Sequence, residues 1–162
     1  MNSRKALLCF LVVLLSVLRT ASQGGLNQLT VLNPSDLRFD SAPNLPSCAK
    51  FALLHGNPAT GASVTLARWP ARCSVPKHWH TANVELMMLK GAMRLETEGG
   101  KTLRPGGYVF LPSRHQHHFP CSSECMFYLV SDGRFDIHYV DKDGKEISAE
   151  QALRASNSRA SS

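Results

Sequence analysis

The chain has 162 residues, of which 43% are hydrophobic and 19% are charged, so it is long and apolar enough to form one domain with a buried core. Its formal net charge is +6, but Arg4, Lys5 and Arg19 supply half of that charge. Because the remaining charge is ordinary for a globular domain, and no basic run carries interleaved aromatic residues, we expect no nucleic-acid partner.

The first 22 residues have the pattern of a secretory signal peptide. A short basic head precedes an apolar run over residues 6–18, and small residues follow at Ala21 and Ser22. The run is 13 residues long, whereas a membrane-spanning helix needs about 20. The sequence therefore predicts a signal peptide over residues 1–22 that is cleaved after Ala21 or Ser22, export to the periplasm or extracellular space, and no membrane anchor after cleavage.

The composition of the remaining chain predicts short strands. Residues 23–46 combine one β-prone stretch with turn residues, and we expect this extended segment to pack along the edge of the domain. Seven runs of strand composition follow, most of them ended by Gly or Pro, at residues 50–55, 62–69, 84–89, 92–97, 108–111, 126–131 and 134–140. Such a series predicts an all-β sandwich or barrel over residues 47–147.

The end of the chain carries the single predicted helix. Residues 148–155 have helical composition, with Ser148 in the N-cap position and Gln151 three residues later, which is the spacing of a capping box. The polar residues that follow are expected to fray. Residues 148–162 are therefore predicted to form a short C-terminal helix and a tail.

Five of the seven histidines lie between residues 78 and 118. His78 and His80 are separated by one residue, so on a strand their side chains point to the same side. Glu85 and His117 can complete a site of nitrogen and oxygen ligands around one ion. We therefore predict that these four residues bind a divalent metal ion; their chemistry suits Fe, Mn, Zn, Cu or Ni without choosing among them.

The spacing of these residues resembles the signatures of the cupin superfamily. The first signature, a His-x-His pair followed by Glu and a closing Gly, is matched by His78, His80, Glu85 and Gly91. The second signature is similar to the run that contains Gly106, Pro112 and His117. The resemblance is to small single-domain bacterial cupins, and it implies a double-stranded β-helix, or jelly-roll barrel, with the four predicted ligands at its open end.

Three residues depart from the cupin pattern. Arg72 stands where the first signature begins with Gly, Arg114 replaces the middle Gly of the second, and Cys121 stands where the family has Asn. Glycine is used where the backbone angle φ must be positive. The two arginines therefore raise the question of how the corresponding turns are formed.

The resemblance also implies a ligand pocket with apolar walls. The residues expected to line it are Trp79, Met87, Phe110 and Phe119. In an enzyme, the candidate acid–base residues are Glu85, if the metal does not hold it, and His115. His118 follows His117 directly and should point away from the site, since side chains alternate along a strand.

Two functions remain open from the sequence. One is a metal-dependent oxygenase or isomerase that acts on a small, oxygen-rich substrate; the other is a non-catalytic metal- or small-ligand-binding module of the cell envelope. Four protein ligands would favour the binding module, because catalytic metals keep a position open. If Glu85 points outward, the site has three nitrogens and an open position. Cupins commonly pair through edge strands, so a homodimer is also expected.

Four cysteines remain after signal removal. In an exported chain they predict disulfides with three possible connectivities. We favour the pairs Cys48–Cys73 and Cys121–Cys125, the second of which needs a turn between its cysteines. The alternative is that Cys121 ligates the metal as a thiolate, which would favour Zn or Cu.

Overall fold

The computed structural model describes residues 29–160, so the predicted signal peptide lies outside the described residues. In chain order the strands are β1 (Asp40–Ser41), β2 (Lys50–Gly56), β3 (Ser63–Trp69), β4 (His78–Trp79), β5 (Val84–Lys90), β6 (Met93–Leu95), β7 (Lys101–Leu103), β8 (Tyr108–Leu111), β9 (Cys125–Ser131), β10 (His138–Val140) and β11 (Glu146–Ile147). Short 3-10 turns occupy Pro34–Asp36 and Glu96–Glu98, and helix α1 spans Ala149–Ala160. The prediction of an all-β fold with one C-terminal helix is confirmed.

The strands form antiparallel sheets. The largest has six strands in the order β1-β2-β3-β9-β5-β8, and smaller sheets have the orders β11-β10-β4 and β6-β7. Some neighbouring strands are distant in sequence, as in the pairing of β3 with β9 that sets Ser63 opposite Ser131 and Trp69 opposite Cys125. This topology agrees with the jelly-roll barrel that the sequence implies.

Alternating residues of the strands build the core. Along β9 every second side chain is buried, including Cys125 and Phe127. The Trp69 ring packs edge-on between Phe51 and Phe127, with centroid distances of 6.1 and 5.0 Å, an arrangement that aromatic rings prefer to face-to-face stacking. These three aromatic side chains fill part of the barrel interior and also line the cavity of the candidate site.

Three turns have a residue with positive φ, one at a glycine and two at arginines that stand where the family has glycine. Gly91 has φ of 85°, and a Cβ at this position would lie 2.0 Å from the carbonyl oxygen of Glu124, so only glycine fits. Arg72 and Arg114 adopt the same left-handed region, with φ of 67° and 64°. Both family turns are therefore kept, but with arginine in a conformation that costs a non-glycine residue free energy.

Both predicted disulfides are present. Cys48–Cys73 ties the segment before β2 to the segment before β4, and Cys121–Cys125 closes the turn before β9. The Cys121 sulfur is consequently a bridge atom and not the thiolate ligand of the alternative hypothesis. The two bridges also support an oxidising environment for this protein.

The elements outside the barrel differ in extent from those predicted. Helix α1 begins with the expected reciprocal bonds, in which the Ser148 amide donates to Gln151 Oε1 and the Gln151 amide donates to Ser148 Oγ, but it continues to Ala160 rather than residue 155. The predicted strand over residues 134–140 is shortened to β10. Within residues 29–160, no helix has the length and apolarity needed to cross a membrane.

Candidate metal centre

Three histidines meet in the barrel interior. His78 and His117 form an antiparallel bridge, in which the amide of each donates to the carbonyl of the other at 3.0 and 2.8 Å. His80 lies two residues further on the same side. One nitrogen of each ring lies within 4.8 Å of the others, and all three side chains are 5 to 6% exposed. Three histidine nitrogens at this spacing can hold one metal ion.

The backbone fixes the proton on each ring. Nδ1 of His78 contacts the carbonyl oxygen of Pro76 at 2.7 Å, Nδ1 of His80 that of Asp136 at 2.5 Å, and Nδ1 of His117 that of His115 at 3.0 Å. A carbonyl only accepts, so each Nδ1 carries the hydrogen and each Nε2 keeps its lone pair. This is how metal-bound histidines are commonly oriented, and the three rings therefore fit a divalent ion.

The site favours neutral imidazoles. Burial lowers the pKa of His78 well below its usual value, and the neighbouring rings of His117 and His80 lower it further. Burial likewise lowers the pKa of His80 and, together with the charge of His80, lowers that of His117 to about 3. Desolvation and mutual repulsion of the charged forms are the causes. At neutral pH the three rings therefore present unprotonated nitrogens.

An apolar cavity of about 40 Å³ encloses the histidines. Its nearest aromatic walls are Phe135, whose ring is 4.7 Å from that of His80, and Phe119, 5.1 Å from His117. The remaining lining residues are Leu45, Phe51, Trp69, Val75, Val84, Leu86, Met93, Leu111, Phe127, Leu129 and Ile137. Among the described residues, no carboxylate, lysine or hydroxyl side chain lines this cavity.

The structure corrects the expectation for Glu85. Val84 and Leu86, its neighbours on β5, are buried and line the cavity, so alternation directs Glu85 to the opposite face of the strand. There it lies beside Tyr108: partial desolvation and then the Glu85 carboxylate raise the pKa of that phenol. Glu85 is therefore not brought to the three histidines, either as a fourth ligand or as an acid–base group.

Three of the four predicted pocket residues also lie outside the cavity, and Phe119 is the one that lines it. Met87 shares the outer face of β5 with Glu85, and Phe110 is half exposed opposite Glu85 on β8. Trp79 lies between two inward-pointing histidines and so points outward, where it stacks on His138 at 3.8 Å. The Arg114 guanidinium lies over the Trp79 ring, 5.1 Å from its centroid.

His115 contributes through its backbone rather than its ring. Its imidazole pairs with Glu98 at 2.8 Å and does not line the cavity, which corrects its assignment as a catalytic candidate. Its carbonyl, in contrast, orients His117. His118 points away from the site as expected. Its ring contacts Ser74 Oγ at 2.6 Å and Glu96 at 2.8 Å, and these contacts fix the residue that follows His117.

Sequence reasoning missed two groups that shape the site. Phe135 packs against His80, and the carbonyl of Asp136 holds His80 Nδ1. The Asp136 side chain accepts the Thr81 amide at 2.8 Å, which fixes the same loop to the residue after His80. No spacing signal in the sequence connects residues 135 and 136 with the histidines, because the contact spans more than fifty residues.

Comparison with known proteins identifies the family. The model of the ChrR cupin-like domain matches residues 27–136, which is more than half of the chain. The chain belongs to this cupin family. None of the curated proteins compared with it matches the sequence.

Solved structures similar to this cupin have different activities. An acetylacetone dioxygenase from Acinetobacter johnsonii is 24% identical with a TM-score of 0.59, over 79% of this chain and 91% of that one. The polyketide cyclase RemF from Streptomyces resistomycificus is 20% identical with a TM-score of 0.64, over 80% and 94%. The anti-sigma protein ChrR of Rhodobacter sphaeroides, solved with SigE, is 22% identical with a TM-score of 0.50, over 62% and 52%. At these identities the likeness shows the shared fold.

Proposed function

We propose that this cupin is an exported metal-dependent oxygenase that acts on a small substrate able to bind the metal through two oxygens. The observation that carries the proposal is the set of three neutral histidines, His78, His80 and His117, which face an apolar cavity without a fourth protein ligand among the described residues. A metal with three protein ligands keeps positions for substrate. A divalent ion bound there supplies Lewis acidity and, if it is redox-active, oxygen chemistry.

The protein's own part is to bind, orient and exclude water. The three Nε2 lone pairs point inward because backbone carbonyls hold the opposite nitrogens. Phe119 and Phe135 pack directly on the rings, so the space beside the histidines admits little water. Interactions between charges and dipoles are stronger in such a site than in water.

The lining of the cavity favours an oxygenase over an isomerase. An isomerase moves a proton between positions on its substrate and needs a protein acid or base within reach. Glu85 and His115, the two candidates, both lie outside the cavity. A 1,3-diketone can lose its acidic proton to solvent before it binds, so its enolate needs no protein base in the cavity. The similar acetylacetone dioxygenase is named for a 1,3-diketone.

The experiment uses the disulfide-bonded chain, purified from an oxidising compartment and loaded separately with Fe(II), Mn(II), Ni(II), Cu(II) or Zn(II). We expect about one metal per chain and, with a redox-active metal and acetylacetone, uptake of one O2 per diketone in an oxygen electrode. His80→Ala should abolish stoichiometric metal binding while the β-sheet circular dichroism persists.

Two results would decide against the proposal. If metal binds but no diketone binds or reacts, the protein is the alternative, a metal- or small-ligand-binding module. If His80→Ala keeps its full metal content, His80 is removed from the site and the three-histidine centre is refuted.

Export is part of the proposal. It is supported by the two disulfides and by the signal-like pattern of residues 1–22. The mass of the protein recovered from the periplasm or medium should correspond to a chain that begins at Ser22 or Gln23, with no free thiols. A full-length, reduced protein in the cytoplasm would contradict export.

We also propose that the protein is a homodimer. Strand β8 is an edge of the six-stranded sheet, and its outward residues Tyr108 and Phe110 are 55% and 50% exposed. An edge strand with large apolar side chains is a surface suited to pairing with a second chain. Light scattering should give twice the chain mass, and Phe110→Asp should convert the dimer to a monomer; a monomeric parent protein would refute this.

A further inference from the structure

A second and larger cavity adjoins the one that holds the histidines. Its volume is about 580 Å³, against about 40 Å³ for the histidine cavity. Both cavities are lined by the same four apolar side chains, Leu45, Phe51, Leu129 and Phe135. These four side chains therefore form the partition between the metal centre and the larger space, which we call the outer groove.

The segment before β2 forms one wall of the outer groove, and the inner face of β2 and β3 forms the other. The lining residues beyond the partition are Leu32, Asp36, Leu37, Arg38, Asp40, Ser41, Ala42, Pro43, Leu53, Pro58, Ser63 and Thr65. The segment is held by its pairing with β2, by the Cys48–Cys73 bridge and by the Tyr139 hydroxyl, which donates to the Asn44 carbonyl at 2.6 Å. The groove is thus a built feature of the fold.

The partition consists of side chains rather than backbone. Phe135 touches His80 on one side and faces the groove on the other, and its amide is fixed by the Pro58 carbonyl at 2.9 Å. The histidine cavity has room for only a few water-sized groups. The outer groove lies in the size range of pockets that bind whole small molecules.

We propose that the outer groove binds the apolar body of the substrate whose two oxygens occupy the histidine centre, with the substrate chain passing between the four side chains of the partition. The substrate class is then an extended 1,3-dicarbonyl compound with a chain of several carbons, rather than a compact diketone. This inference rests on the proposed function, because the head of the molecule is assigned by the three histidines. Leu53 and Phe135 are the residues that select for the chain.

The test is a binding measurement on the Zn(II)-loaded protein by titration calorimetry, with pentane-2,4-dione and nonane-2,4-dione as probes. Both carry the same chelating head, and they differ by four methylene groups. Because burial of each methylene strengthens binding, we expect the longer probe to bind at least tenfold more tightly.

Two matched variants locate the effect. Leu53, 52% exposed, lines the outer groove, whereas Leu89, 44% exposed, lies outside both cavities. Leu53→Asp should shrink the ratio of the two affinities to below threefold, and Leu89→Asp should leave that ratio at its parent value.

The outcomes separate this inference from the proposed function. Equal affinities for the two probes in the parent protein would overturn the outer groove and leave the metal centre intact. A ratio that Leu53→Asp does not change would also overturn it. If Zn(II) binds but neither probe does, the 1,3-dicarbonyl function fails and this inference fails with it.

Discussion

Acidification should destabilise the metal-free protein through its buried histidines, and His117 allows the size of the effect to be worked out. Its pKa is about 3 in the folded chain and about 6.5 when unfolded. Because the folded pKa is the lower one, the stabilisation is complete above pH 6.5 and is lost as the pH falls towards 3. A pH of 5 lies about 1.5 units below the unfolded pKa. At this pH, protonation of His117 in the unfolded chain lowers the free energy of unfolding by about 2 kcal/mol.

Urea unfolding of the chelator-treated protein at pH 7.5 and pH 5.0 measures this loss. Between pH 7.5 and pH 5.0 the free energy of unfolding of the parent protein should fall by at least about 2 kcal/mol, since burial lowers the pKa values of His78 and His80 too. In His117→Asn this fall should be smaller than in the parent by about 2 kcal/mol. His55→Asn, at an exposed position, is the matched control and should keep the parent's dependence.

A free energy of unfolding that is the same at pH 7.5 and pH 5.0 would refute the reasoning. It would mean that the folded and unfolded chains bind equal numbers of protons over this range, and hence that burial does not lower the pKa values of these rings. Addition of Zn(II) at pH 7.5 should raise the midpoint of unfolding, because an ion that binds only the folded chain stabilises it.

Two further stability predictions concern the covalent and backbone features of the fold. Replacing both Cys48 and Cys73 with serine should lower the free energy of unfolding by about 3.5 kcal/mol, and replacing Cys121 and Cys125 should lower it by about 2 kcal/mol, because the two loops span 25 and 4 residues. Urea unfolding of the two double variants measures both losses. A larger loss from the shorter loop would contradict the prediction. Arg72→Gly should stabilise the protein by about 0.5 kcal/mol, since glycine relieves the positive φ, and destabilisation would show that the arginine side chain contributes more than the strain costs.

The three histidines were predictable because their spacing along the chain follows the two cupin signatures. His78 and His80 are two residues apart, and His117 lies at the distance of the second cupin signature. The fold class was predictable for a related reason, since short strands ended by glycine or proline are typical of β-sandwiches and barrels, and the resemblance to cupins implied the jelly roll. In both cases the spacing along the chain carried the information.

The errors at Glu85, Met87, Phe110 and Trp79 share one cause. Each residue is adjacent in sequence to residues that point into the barrel, so period-two alternation sends it outward. Trp79 in particular lies between His78 and His80, and the same argument that paired those histidines places its ring outside. Family signatures gave the positions of these residues, but strand alternation decides their direction.

The contacts that complete the site could not be predicted from sequence. Phe135, the Asp136 carbonyl and the Leu45 side chain reach the histidines from distant parts of the chain. Whether the turns at Arg72 and Arg114 keep their shape also depends on tertiary context, because local preference favours glycine there. The surrounding barrel imposes the left-handed conformation on both arginines.

The use of main-chain oxygens to orient the histidines has an evolutionary consequence. In many metal sites the partner of the ligating imidazole is a carboxylate side chain, which one nucleotide change can remove. Here the acceptors are the carbonyls of Pro76, His115 and Asp136, which every amino acid possesses. Mutations can therefore alter the side chains at these three positions without removing the acceptors. The sequences of the loops around the centre can then diverge while the orientations of the three histidine rings stay the same.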